Sequence, residues 1–170
     1  MLSASIRLLD GASLRLSALL AWLPLAMALL TVFVVILRYG FGMGAIAAQE
    51  AVIYLHGALF MLGASCTLQT DGHVRVDVLY HRFSPRGQAW VNAVGHVLFT
   101  LPLCALIGIG SSSYVAESWS IREVSPEPGG IPAVFLLKTL LPLTAILVAA
   151  QATAEILKNL RLLVRELPDG

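Results

Sequence analysis

Two charged residues in this chain sit where charge is expensive. Lys138 stands alone in the otherwise uncharged stretch 132–154, and Glu50 alone in the stretch 46–70. A lysine near the middle of a membrane helix is disfavoured by about 2.5–3.5 kcal/mol, so it needs a partner. If both stretches cross a bilayer, the alternating direction of the spans puts the two residues in the same leaflet. The expectation is therefore an intramembrane ion pair between Glu50 and Lys138, either direct or through a second protein at a subunit interface. The alternative is that the lysine stem carries its ammonium outward alone. His56 and His96 form a second constellation, on consecutive apolar stretches with each residue approaching the middle. Two imidazoles so placed can ligate a haem axially, as in four-helix membrane cytochromes. Intramembrane histidines also serve as interhelical hydrogen-bond donors. With consecutive spans running in opposite directions, Cys66 falls near the inner end of its stretch and Cys104 in the outer half of its own, beyond the roughly 7 Å reach of a disulfide, and they read as two free, buried thiols.

Other seats of chemistry are missing. The chain has no glycine-rich phosphate loop ending in Lys-Ser or Lys-Thr. It has no His-Glu-x-x-His motif, nucleophile elbow or carboxylate cluster, so no enzyme chemistry is visible. Nor does it show an internal repeat or a pair of broken hydrophobic segments, the pointers to a complete secondary transporter. A small chain so poor in motifs reads as one component of a larger machine.

The elements that must position these residues follow from the distribution of charge. Of 170 residues, 58% are hydrophobic and only 12% charged, about half the charge of an ordinary soluble domain. Such a chain cannot coat a water-facing core. Stretches 16–37, 46–70, 88–114 and 132–154 together hold 97 residues, with Glu50 and Lys138 as their only charges. Each exceeds the roughly 20 residues that a helix needs to cross a hydrocarbon core of about 30 Å. Lipid leaves no open backbone satisfied, and the stretches lack the alternation of barrel strands, so helices are the default. The first stretch is longer than the core of a signal peptide and runs into Arg38-Tyr39, so it reads as a retained span.

The sign of the connecting charges sets an orientation. With the N-terminus inside, the inner segments hold Arg7, Arg15, Arg75, Arg82, Arg86, Lys158, Arg161 and Arg165, while the outer loops hold only Arg38 and Arg122. That is a positive-inside pattern. The expectation is an all-α membrane protein, one domain over 1–170 with four transmembrane helices and both termini cytoplasmic. Val76, Leu79, Tyr80 and Phe83 recur at helical spacing, which predicts a short amphipathic interfacial helix between the second and third spans. Ser84-Pro85 reads as the N-cap and first residue of the third helix. Leu2, Ile6, Leu9 and Ser13 share one face ahead of the first span, which predicts either a helix lying on the membrane or a frayed terminus. Lys158, Arg161 and Arg165 form a basic stripe that suits anionic headgroups or plain solvent. Ser125-Pro126-Glu127-Pro128-Gly129-Gly130 predicts an irregular loop. Gly108 and Ser112 offer a small-residue contact face on the third span.

Specific strings then become recognisable. Arg38-Tyr39-Gly40-Phe41 follows the first span, Glu50 and Tyr54 open the second, and His73-Val74-Arg75-Val76-Asp77 follows it. Further on come Ser118-Trp119 with Glu123 and Ser125, then Pro128-Gly129-Gly130-Ile131-Pro132, then Lys138 with Pro142. In this order on four spans, the chain resembles the small permease subunit of tripartite ATP-independent periplasmic (TRAP) transporters. The resemblance covers nearly the whole chain. It implies a multi-pass subunit of the bacterial inner membrane with no catalytic residue, no cofactor and no nucleic-acid partner. Its implied partners are membrane lipids, a larger permease subunit carrying the substrate and sodium sites, and a periplasmic solute-binding protein. The implied activity is support of sodium-coupled uptake of organic acids or related solutes, as a fixed scaffold. Glu50 and Lys138 become candidates for holding helices or the subunit interface. Arg38, Tyr39, Phe41, His73, Arg75, Asp77, Trp119, Glu123, Gly129 and Gly130 are the family-motif residues. The competing readings are a haem-bearing electron-transfer subunit and a freestanding small transporter or lipid-binding protein.

Overall fold

The computed structural model describes residues 2–74, 78 and 80–165, and every regular element among them is helical. In chain order these are α1 (Leu2–Leu20), α2 (Leu23–Gly40), α3 (Ile46–Gln69), a 3-10 turn (Tyr80–Arg82), α4 (Pro85–Gly95), a π turn (His96–Thr100), α5 (Leu101–Gly110), α6 (Ser112–Ser120) and α7 (Val134–Arg165). Four helical stretches are long and apolar enough to cross a membrane: Ile6–Gly40, Ile46–Gln69, Pro85–Ser120 and Val134–Val164. All four expected stretches are helical, and three of the helical stretches run well beyond the expected ends.

Prolines explain most of the breaks. Pro24 has no N–H to offer the carbonyl of Leu20, so the first stretch divides at Ala21-Trp22 into α1 and α2. Pro102 likewise cannot bond the carbonyl of Leu98. There the N–H of Leu101 reaches back five residues to the carbonyl of His96, which makes the π turn. Pro142 lies inside α7 without ending it. The Ser84 side chain accepts from the N–H of Gly87 at 3.3 Å, so the cap read from Ser84-Pro85 is present.

The long helix α7 is the hub. It packs against α1, α3, α4, the π turn, α5 and α6, whereas α2 packs on α3 and barely on α1. The core is built from small side chains, among them Ala89, Ala93, Cys104, Ala145, Ala152 and Ala154, which let helix backbones approach closely. A Cβ at Gly108 would stand 3.4 Å from the Ala145 methyl, so that glycine does face α7. Ser112 does not share the face, because the helix turns at Ser111 and leaves it exposed. Both cysteines are free and buried.

The N-terminal face is the one read from the sequence, but its partners are protein. Ile6 and Ser13 are buried and Leu9 half-buried, and α1 packs on α3 and α7. Of the predicted interfacial helix, Val76 and Leu79 lie outside the described residues; the described part, with Tyr80 and Phe83, holds a 3-10 turn at Tyr80–Arg82 followed by a bend at Phe83.

Candidate functional site

The polar chemistry gathers at the two ends of the bundle. One end, here the loop end, carries loops 41–45 and 121–133. The other, the terminal end, carries the start of α1, the end of α7 and the described part of loop 70–84.

At the loop end the expected partners are exchanged. Lys138, four residues into α7, donates to the Glu123 carboxylate. The same Glu123 oxygen accepts from Ser118 Oγ at 2.6 Å, and the Lys138 ammonium sits 3.9 Å from the centre of the Tyr114 ring. Glu50 instead accepts from Ser125 Oγ and, at 2.6 Å, from the N–H of Ile131. The direct Glu50–Lys138 pair is thus replaced by two carboxylate anchors that fasten loop 121–133 to α3 and α7. Sequence distance misleads here because Glu123 returns over the start of α7 once the loop folds back: the N–H of Val134 bonds the Glu123 carbonyl at 3.1 Å. Glu123 lies outside the spans, and its carboxyl is held below the ordinary value, first by the hydrogen bond from Lys138 and then by that from Ser118.

The two motif glycines serve the same loop. Gly129 has φ +81°, which disfavours any side chain, and a Cβ on Gly130 would stand 2.7 Å from Glu50 Oε1. Trp119 closes the cluster, donating from Nε1 to Thr139 Oγ1 at 2.8 Å and meeting Phe135 edge-on at 4.7 Å. Arg38, Tyr39 and Phe41 stand exposed around the end of α2, and His73 is exposed in loop 70–84. Arg75 and Asp77 lie outside the described residues.

The terminal end holds a network that sequence reasoning missed. Lys158 donates to Asp10 at 2.8 Å and to Glu155 at 2.7 Å. Gln151, only 1% exposed, donates to both carboxylates and accepts from Ser13 Oγ at 2.8 Å. Gln69 on α3 donates to the Asp10 carbonyl, and Cys66 to that of Ser13. Lys158 therefore turns into the bundle and leaves the basic stripe read for it. The available signal was the spacing of Gln151, Glu155 and Lys158 at i, i+4 and i+7, one face of a helix. An open groove of about 680 Å³ lies beside this network, lined in part by Asn92, His96, Glu155 and Lys158.

The two histidines do not form a ligand pair. His96 is half-buried at that groove with Nδ1 3.2 Å from Thr100 Oγ1, while His56 is exposed on the outside of α3, stacked on Phe60. Haem ligation between them has no support.

The model of the DctQ component of tripartite ATP-independent periplasmic transporters matches residues 27–162. The chain belongs to that family. A Haemophilus influenzae protein named as a candidate TRAP transporter small permease is 35% identical over 103 residues, which is 61% of this chain. The match spans 62% of the length of that relative. No solved structure matches. This TRAP small permease is thus an integral-membrane transport component, and its loop-end anchors are built from residues of the recognised strings: Glu50, Ser118, Glu123, Ser125, Gly129, Gly130 and Lys138.

Proposed function

We propose that this TRAP small permease is a non-catalytic scaffold that binds the large permease subunit and supports sodium-coupled, binding-protein-dependent uptake of organic acids or related solutes. It sits in the bacterial inner membrane with both termini cytoplasmic, as its basic residues favour. The loop end then faces the periplasm and offers Arg38 and the anchored loop 121–133 to the solute-binding protein. The observation that carries this reading is α2. It has no buried residue, and it exposes Leu25, Leu29, Val32, Phe33 and Ile36. Meanwhile Glu50, Glu123, Lys138, Asp10, Glu155 and Lys158 all bond within the chain. Such a protein has internal polar ties and a broad apolar exterior, which suits a fixed element against which another membrane protein is held.

The test is reconstitution. Vesicles holding the large permease with this chain should take up solute when given binding protein and a sodium gradient, and vesicles lacking this chain should not. Equal uptake without it would overturn the scaffold role.

A further inference from the structure

Helix α3 shows one exposed stripe within its span, Ile53, His56 and Phe60, at i, i+3 and i+7. Its other flanks are covered by α2 and by α7, where a Cβ at Gly57 would already press within 3.2 Å of Leu137. Two of the stripe residues are large and apolar; the middle one is an imidazole.

The depth of that imidazole decides what can cover it. Glu50 and Gln69 mark the two ends of α3, because each bonds to the polar network of its own end of the bundle. His56 lies between them, six residues or about 9 Å from Glu50 at about 1.5 Å per residue. An imidazole has no long stem to carry its polar atoms to the boundary, as a lysine or arginine has. Facing hydrocarbon, its N–H and its ring acceptor would go unsatisfied. Phe60 lies nearly parallel to the ring, with centroids 6.4 Å apart, and a phenyl ring bonds neither nitrogen. Intramembrane polar side chains are satisfied by neighbouring helices, and among the described residues no helix covers the stripe, whose three side chains are exposed.

We propose that the Ile53–His56–Phe60 stripe of α3 is the docking seam for the large permease subunit, which brings a hydrogen-bonding group to His56 inside the apolar span. This rests on the reading of the chain as a scaffold and names the surface that performs it. Lipid cannot satisfy the imidazole; a second copy could do so by pairing the two His56 rings, N–H to ring nitrogen, and the crosslinked mass tells it from the large subunit.

Photo-crosslinking tests the seam in membranes holding both subunits. A photoreactive residue at position 56 or 60 should give an adduct with the mass of the large subunit. One at Leu106, on the exposed side of α5, should not. In the purified complex, His56→Leu should weaken association about threefold, the usual worth of one interhelical hydrogen bond, and His56→Gln should restore most of it. Because His56 is exposed, both variants keep the fold. Adducts from Leu106 but not from positions 56 and 60 would overturn the seam, as would an adduct with a second copy or a complex indifferent to His56→Leu. If the parent chain neither crosslinks to nor copurifies with the large subunit at all, the scaffold reading itself fails, and the seam with it.

Discussion

The two ends of the bundle solve the same problem in opposite ways. In the terminal-end network each charge belongs to a helix: Asp10 to α1, and Glu155 and Lys158 to α7. At the loop end the lysine belongs to a helix, but its carboxylate partner is brought by a loop. Stoichiometry differs as well. Two carboxylates share one lysine at the terminal end, with Gln151 bridging them, whereas at the loop end Lys138 has Glu123 and the second carboxylate, Glu50, takes neutral donors. Lys138 and Lys158 are 20 residues apart on α7, about 30 Å at about 1.5 Å per residue, which is the thickness of a hydrocarbon core. One helix thus carries a lysine anchor toward each end of the bundle. The terminal anchor ties helix to helix, and the loop anchor ties a surface segment to the bundle.

This contrast predicts that damage to the terminal anchor is global. Lys158→Met would leave Asp10 and Glu155 facing one another with Gln151 as their common donor. Losing one partner of a fully buried ion pair costs about 3–5 kcal/mol. These side chains keep 18–31% exposure, so water screens part of that, and a loss on the order of 2 kcal/mol is expected. Thermal unfolding in detergent should show a lowered midpoint, with hydrogen exchange rising along α1, whose polar ties to α3 and α7 run through Asp10 and Ser13. Partial recovery in the Asp10→Asn, Lys158→Met double variant would identify charge repulsion as the cause. An unchanged midpoint in Lys158→Met would show that the terminal anchor is not structural.

A loop-end lesion should stay local. Gly130→Ala forces a methyl against Ser125 and Glu50, an overpacking worth about 1–2 kcal/mol. Its effect should be release of loop 121–133 from α3, seen as protease sensitivity between Arg122 and Ile131 with little change in the global midpoint. Because the two networks lie at opposite ends of α7, the Gly130 and Lys158 effects should add within about 0.5 kcal/mol. Clear non-additivity would show that α7 transmits strain between its ends.

The number of spans was readable because it depends on run length and charge, which are local quantities. Where the helices break was readable only in part. Pro24 and Pro102 mark the breaks, yet the π turn depends on how the backbone redistributes its hydrogen bonds. The anchors were harder. Glu50 and Lys138 stood out by their cost in lipid, but the choice of partner depended on a loop doubling back, which no periodicity records. The Asp10–Glu155–Lys158 network was hidden for a different reason: its residues looked like ordinary charges in connecting segments, because the helices outrun their apolar stretches. Ile6–Gly40 and Val134–Val164 are 35 and 31 residues long, so their ends carry polar side chains that still pack helix on helix.

The smallest expected effect probes the loop anchor through its proton. Glu123 has a carboxyl held below its ordinary value of 4.5, chiefly by the Lys138 hydrogen bond. A carboxylate whose pKa is lowered by folding stabilises the fold fully above its unfolded value, and that contribution fades as pH falls through the lowered one. Loop protection should therefore hold from neutrality down to about pH 5 and decline only below 4.5, while the terminal end is read separately through α1. Lys138→Gln removes the largest cause of the shift, so the Glu123 midpoint should move up toward 4.5. The residual lowering should then come from Ser118. Following the Glu123 carboxyl resonance in both proteins measures this directly. Coincident midpoints would mean that Lys138 does not hold the Glu123 proton equilibrium, and the loop anchor would then rest on Glu50, Ser125 and the Ile131 amide alone.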